Sequence, residues 1–457
     1  MPNPPRLMLA ATHSGAGKTT ITAGIISAFR QAGKKVQPFK SGPDYIDPGY
    51  HSLAAQNPCR NLDTWLLSSN TISELFAYNT GNADIAVIEG AMGLYDGVQG
   101  QSGCGSSADL AKLLKIPVIL VVDAKGLGQS AAAIVLGYRE MDKQINLAGV
   151  ILNRVGSSSH YQLLKTAIEE KTGLPVLGGF PRCEDLILPE RHLGLIPQIE
   201  QNNQNFWGKL QEITAKHIDI NRLWQIAAGV PPLPSFTSQL FTVPPLDKKI
   251  PLAVAYDQTF HFYYHDNLDL LKYWGAEILY FSPLKDKNLP EGCCGLYIGG
   301  GYPELFAEQL SANQTLLEDI RRAHRQSMPI YAECGGLMYL TQGITAGDGN
   351  YYPLASLLPV KTKMTDRRQA LGYVRVKVQR DNLLSLAGEE LRGHEFHWST
   401  IDDLPEHTAY QLYNSRGEKR SLDGLTANNL LASYTHLHFA SYPLLGQRFL
   451  QACKKIK

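Results

Sequence analysis

Uninterrupted apolar runs, each followed by a helical pattern, constrain this chain more than any other feature. Residues 6–12, 36–40, 85–89, 118–123 and 150–153 read as strands, and residues 19–32, 130–140 and 161–171 as helices between or after them. A strand with one wet face alternates apolar and polar side chains. These runs do not alternate, so both faces are expected to be covered. The expected fold class is α/β, with a doubly wound, mostly parallel sheet in the N-terminal part.

The pattern weakens over 199–249. QIEQNNQN is polar, and VPPLPSFTSQLFTVPPLDKK carries Pro231, Pro232, Pro234, Pro244 and Pro245, which do not fit inside regular elements. From residue 250 the strand–helix rhythm restarts, with strands expected at 252–256, 278–281, 296–298 and 330–332, helices over 267–274 and 314–324, and more β-like chain such as 373–378. The expected organisation is a first domain over 1–198, a tail and Pro-rich linker over 199–249, and a second α/β domain over 250–457.

Charge and cysteine usage narrow the class of function. Lys and Arg total 43 against 42 Asp and Glu. A general nucleic-acid binder would carry a basic surplus, so none is expected as partner. No apolar run approaches the ~18 residues of a membrane span, and no export signal precedes the first strand, so a cytoplasmic chain without membrane contact is expected. The seven cysteines, odd in number and irregularly spaced, then read as reduced thiols.

Residues 11–20 read ATHSGAGKTT between the first strand and the first helix. This is a phosphate loop in which Thr12 stands for the usual first glycine. Gly15 and Gly17 let backbone N–H groups turn towards phosphate oxygens, and the helix start adds its positive end. Lys18 suits the β- and γ-phosphates and Thr19 suits Mg²⁺. Ser14, Ala16 and Thr20 complete the expected ATP-binding stretch, and Asn153, after a later strand, is expected at the adenine. KSGPDYIDPGYH follows the second strand, and VIEGAMGLYDG places Glu89 at a strand's C-terminal end, where open α/β sheets bind ligands. Lys40, Asp44, Tyr45 and Asp47 are expected on the substrate and phosphoryl-transfer side. Thr19, Asp47 and Glu89 are the expected Mg²⁺ ligands; Asp96 is a weaker candidate.

A second centre lies at PIYAECGGLMYL, residues 329–340. A β-run leads into Cys334, and Gly335 and Gly336 give a nucleophile on a sharp strand-to-helix turn the small neighbours it needs. The helix start favours the reactive thiolate. IGGGYPE places Gly300 and Gly301 after another strand, where with Gly335 they can offer N–H groups to an oxyanion. The cysteine needs a base. SYTHLHF offers His436 and His438, on one face if extended, and GHEFHWS offers His394 and His397 as rivals.

These residues carry a resemblance. ATHSGAGKTT, KSGPDYIDPGYH and VIEGAMGLYDG are similar to the ATP-dependent amidoligase domain shared by dethiobiotin synthetases and corrinoid amidases. His13 stands where the partitioning-type ATPases of that superfamily carry a second lysine. AECGG and Tyr434-Thr435-His436 resemble the class I glutamine amidotransferase domain, flavodoxin-like α/β, of the cobyrinate/cobyrate type, with Ala332 in place of the usual first glycine. KSGPDYIDP is most similar to the cobyrinate a,c-diamide synthases of that family and separates them from cobyric acid synthases. The resemblance implies Cys334 as nucleophile and His436 as its partner. Class I domains usually carry His-Pro-Glu, whereas this chain has His436-Leu437-His438. The orienting glutamate is therefore missing at that place, which implies a Cys–His dyad. GHEFHWS is implied at the domain interface or substrate site.

The implied activity is amidation of the a and c carboxylates of cobyrinate in cobalamin biosynthesis. ATP would activate each acid as an acyl phosphate, and L-glutamine would supply ammonia, with Mg²⁺ as cofactor, a corrinoid as small-molecule partner and a homodimer as the expected assembly. Hydrogenobyrinate and nickel sirohydrochlorin are the alternative substrates. The rival from another class is a P-loop switch ATPase carrying a non-catalytic amidotransferase module; an intact Cys334/His436 pair and the absence of a lysine at position 13 speak against it.

Overall fold

The computed structural model describes residues 3–98, 104–186, 190–191, 194–195, 204–242 and 249–456. The chain divides into two compact units, Met1–Thr237 and Ser238–Lys457.

In the first unit seven parallel strands form one sheet: β1 (Arg6–Ala11), β2 (Val36–Ser41), β3 (Arg60–Leu62), β4 (Ile85–Glu89), β5 (Val118–Asp123), β6 (Leu147–Val155) and β7 (Val176–Pro181), in the order β3-β2-β4-β1-β5-β6-β7. The unbroken apolar runs have the expected cause. Leu7, Leu9, Val87 and Val121 point to one buried face while Met8, Ile88, Leu120 and Val122 are buried on the other. The helices are α1 (Lys18–Gln31), α2 (Asp47–Ala55), α3 (Ser69–Thr80), α4 (Ser107–Leu113), α5 (Ser130–Met141), α6 (Ser158–Thr172), α7 (Gln204–His217) and α8 (Ile220–Ala228).

The last two helices fall within 199–249, read from sequence as tail and linker. Phe206, Leu210 and Ile213 of α7 and Leu223 and Ala227 of α8 join the core that α1 and α2 form on β1. Their i, i+4, i+7 spacing is that of a helix with one apolar stripe, and Asp219 caps α8 by accepting from the Arg222 N–H. The chain after α8 is held by the fully buried Arg6. Its Nη2 donates to Pro231 O at 2.6 Å and its Nε to Leu114 O at 2.9 Å. Residue 198, where the first domain was expected to end, and Pro244 and Pro245 lie outside the described residues.

The second unit contains β8 (Ile250–Ala255), β9 (Phe260–Phe262), α9 (His265–Tyr273), β10 (Ala276–Phe281), β11 (Gly295–Ile298), β12 (Gly300–Gly301), α10 (Ala307–Ala312), α11 (Gln314–Arg325), β13 (Ile330–Glu333), α12 (Gly335–Leu340), β14 (Ala370–Val378), β15 (Glu390–His397), β16 (Tyr410–Asn414), β17 (Lys419–Asp423), β18 (Leu425–Ala427), β19 (Leu430–Ser433), β20 (His436–Leu437) and α13 (Leu444–Lys454). Its main sheet runs β10-β8-β11-β13-β19-β18, parallel except at β18. Ala253, Ile298, Ile330 and Ala332 face a core shared with α10, α11 and α12. On the opposite face Tyr297 and Tyr331 stack with ring centroids 5.1 Å apart, against Phe439 and Phe449. An antiparallel sheet, β17-β16-β14-β15-β20, continues from this framework and brings His394 into register with His436.

Candidate active site

The phosphate loop joins β1 to α1. Gly17 has φ 90° immediately before the helix starts at Lys18. A side chain there would also strike Nδ2 of Asn153, which lies against the loop. Glycine is thus required twice, by backbone conformation and by space. Asn153, expected at an adenine, donates from Nδ2 to Ala16 O at 2.8 Å and so braces the loop. Arg154, which the sequence reading passed over, adds a bond from Nη2 to Gly15 O at 3.0 Å and pairs with Asp123 at 2.6 Å. Ser14 and Gly15 are exposed, and Thr20 is half-buried on α1. Lys18 is buried and donates to Met92 O at 2.6 Å. Burial lowers its pKa, against the opposing pull of Glu89.

Parallel register explains why the charged residues meet. Lys40 lies opposite Glu89 across β2 and β4, at the C-terminal ends of both strands. Lys40 Nζ is 3.2 Å from Glu89 Oε1 and 2.8 Å from Asp47 Oδ2. Thr19 donates its hydroxyl to Glu89 Oε1 at 3.1 Å, and His51 Nε2 bonds the other Glu89 oxygen. Burial alone would raise the Glu89 pKa, but Lys40 and His51 outweigh it and bring it down to about 2. Lys40 is pushed up because Asp47 and Glu89 overcome its desolvation. Asp44 stands further out. Its Oδ1 accepts from the Ile46 N–H at 2.7 Å and shapes the turn into α2, while Oδ2 is 3.9 Å from Lys40. Tyr45 is half-buried on the same turn. Asp96 accepts from the Gly93 N–H at 2.8 Å, a loop-shaping contact. Lys40 Nζ bridges the carboxylates of Glu89 and Asp47, and the Thr19 hydroxyl bonds the same Glu89 oxygen; hydroxyl and carboxylate oxygens are the donor type Mg²⁺ takes together with phosphate oxygens and water.

In the second unit Cys334 sits between β13 and α12 with φ 49° and ψ −104°, a conformation that L-residues other than glycine rarely adopt. Its N–H donates to Ser433 O at 2.7 Å, and its Sγ is 3.7 Å from Phe396 O. Cys334 is close enough to His436 to help raise the imidazole's pKa. The three expected oxyanion glycines come together here. A Cβ on Gly335 would lie 3.0 Å from Gly301 N, and one on Gly300 would lie 2.7 Å from Cε1 of His436.

Of the four candidate histidines, His436 is the one on the thiol. Burial would depress its pKa, but bonds to Cys334 and Glu333 push it up to about 10. His394, its register partner, is lowered to about 3 by burial and then by His436. His397 stacks on Tyr434 at 3.8 Å and bonds Ser399 O through Nδ1. His438 packs on Tyr264 at 4.7 Å and accepts from the Ala440 N–H.

One expectation needs correction. No carboxylate follows His436 at the second position, yet the imidazole does not lack one, because Glu333 Oε2 lies 3.2 Å from Nδ1. Glu333 was in view as the residue before Cys334, but nothing in a linear pattern ties it to a histidine 103 positions on. Asp423 was missed for the same reason. It accepts from the N–H groups of Tyr434 and Thr435, each at 3.0 Å, and fixes the approach to His436. His51 lay inside a quoted motif, four residues after Asp47, a helical spacing that could have flagged it.

With this geometry in place, similarity to known proteins is informative. Residues 7–196 match the CobQ/CobB/MinD/ParA nucleotide binding domain, and residues 251–444 match the CobB/CobQ-like glutamine amidotransferase domain. Cobyrinate a,c-diamide synthase of Dehalococcoides mccartyi is 47% identical over 459 residues, covering 99% of each chain. The synthase of the same name from Picrophilus torridus is 43% identical, covering 98% of this chain and 99% of its own. That from Methanobrevibacter smithii is 42% identical, covering 99% of each. Among the described residues no helix is long and apolar enough to cross a membrane.

Proposed function

The chain belongs to the cobyrinate a,c-diamide synthase family of glutamine-dependent, ATP-using ligases, and we propose that its two centres serve one product, a carboxamide on a corrinoid. The substrate is cobyrinate, amidated at the a and c carboxylates. The observation that carries this is the presence in one chain of a phosphate loop facing a Lys40–Glu89–Asp47 cluster and a cysteine on a strand-to-helix turn beside a buried histidine.

At the first centre a substrate carboxylate oxygen attacks the γ-phosphorus of ATP. An acyl phosphate forms and ADP leaves. Backbone N–H groups of residues 14–17, with Lys18, hold the phosphates, and Lys40 offsets charge on the transferring group. Thr19, Asp47 and Glu89 would hold Mg²⁺, which neutralises phosphate charge when bound. At the second centre the Cys334 thiolate attacks the glutamine side-chain amide, and the oxyanion lies among Gly300, Gly301 and Gly335. His436 gives its proton to the departing ammonia. Water then hydrolyses the thioester to glutamate. Ammonia attacks the acyl phosphate and phosphate leaves, so that two glutamines and two ATP are consumed per diamide.

Replacement of Cys334 by Ala tests the reading. Glutamine-dependent amidation of cobyrinate is expected to fall by at least about 10³-fold while ammonia-dependent amidation survives; loss of both in a folded variant would disprove it. Mass spectrometry of products from cobyrinate, hydrogenobyrinate and nickel sirohydrochlorin in competition tests the macrocycle. Sedimentation tests the proposed homodimer, and cell fractionation the cytoplasmic location.

A further inference from the structure

We propose that Glu333, the residue immediately before the nucleophile, is the positioning carboxylate of the glutaminase centre, supplying from the nucleophile's own strand the acid that His436-Leu437-His438 lacks. The proposal rests on the reading of Cys334 as nucleophile and His436 as its proton partner.

The backbone explains how one strand delivers both groups. Side chains alternate along β13, so Tyr331 and Glu333 leave the sheet on one face and Ala332 on the other. Cys334, at φ 49°, breaks the alternation at the start of α12. Next door, Ser433 of β19 is in register with Glu333, and the chain returns three residues later with His436. Glu333 Oε2 meets His436 Nδ1 at 3.2 Å, and Oε1 accepts from the Leu437 N–H at 3.3 Å and from the Tyr331 hydroxyl. With Nδ1 so engaged, Nε2 is the nitrogen left for the thiol.

The acid is 1% exposed. A carboxylate so buried is costly unless a cation pairs with it, and His436 is the cation available. The other titratable groups around Glu333 are phenols, Tyr263, Tyr297, Tyr331 and Tyr410, all held neutral by burial. Around His436 stand Cys334, Glu333 and the neutral His394. Tyr434, beside Cys334, is also held neutral. Glu333 therefore acts together with Cys334 in favouring the protonated imidazole, and its removal should move thiolate formation to higher pH.

The test is the pH dependence of Cys334 alkylation by iodoacetamide in the full chain, read by peptide mass spectrometry, with glutaminase and ammonia-dependent amidation measured alongside. E333Q keeps the shape and removes the charge. Its alkylation inflection should rise by at least one pH unit, a loss of about tenfold in rate at lower pH. The glutaminase kcat should fall by about tenfold or more, with KM for glutamine and ammonia-dependent amidation held. E333D, which restores a charge, should recover part of the low-pH alkylation. An E333Q profile superimposable on the wild type would overturn the proposal. Failure of wild-type Cys334 to alkylate in step with loss of glutaminase would instead overturn the reading beneath it. Should E333Q not fold, ¹⁵N spectra of the wild type decide, with the His436 signal assigned by its loss in H436N. Both ring nitrogens protonated throughout pH 5–8 supports the proposal, and a titration of Nε2 near 6.5 refutes it.

Discussion

Glu89 has no exposed surface and three partners, Thr19, Lys40 and His51. Glu89→Gln leaves Lys40 and His51 facing an amide, and breaking a buried pair in this way costs about 3–5 kcal/mol. Urea unfolding should show that loss at neutral pH. The pH dependence has a definite sign. The folded carboxyl pKa of about 2 lies below its ordinary value of 4.5. The carboxylate therefore contributes stability above about pH 4.5, lost as pH falls towards 2. The gap between wild type and Glu89→Gln should narrow over that window; a constant gap would refute the assignment. His436 works in the opposite sense. Its raised pKa contributes stability that is full below about 6.5 and is lost as pH rises through about 10. Candidates for both centres could be named from the sequence, but Glu333, Asp423 and Arg154 could not, since each acquires its contacts from a partner on another element.

At the scale of elements, strand positions were legible because strands buried on both faces leave unbroken apolar runs. The structure has strands at Ile85–Glu89 and Val118–Asp123, the bounds read from sequence. Helices α7 and α8 were passed over because polar and proline-rich chain surrounds them, although Phe206, Leu210 and Ile213 keep a helical spacing. Leu210 is fully buried against α1. Leu210→Ala should cost about 2–5 kcal/mol, the range for a large-to-small change in a core. A midpoint within experimental error of the wild type would show that α7 does not belong to that core.

The whole molecule is two units, and the first continues through α8 to Thr237. A chain cut after residue 198 would lose Phe206, Leu210, Ile213, Leu223 and Ala227 from its core. At about 2–5 kcal/mol for each large side chain, that removes most of the 5–15 kcal/mol by which a domain is ordinarily stable. Residues 1–237 should therefore show a cooperative thermal transition by circular dichroism and 1–198 none. A cooperative transition in the shorter piece would place the boundary earlier.

The sequence by itself determined the buried strands and the helices between them in the body of each unit, the phosphate loop and the glycine-flanked turn at Cys334. All of these depend on local periodicity or on residues within a dozen positions of one another. The tertiary structure alone decided that Lys40 faces Glu89, that Asn153 braces the phosphate loop, and that His436 meets an acid from the strand that leads into Cys334. Such pairings follow from strand order and register, and these are set by burying whole elements against one another, a constraint that no short stretch of chain contains.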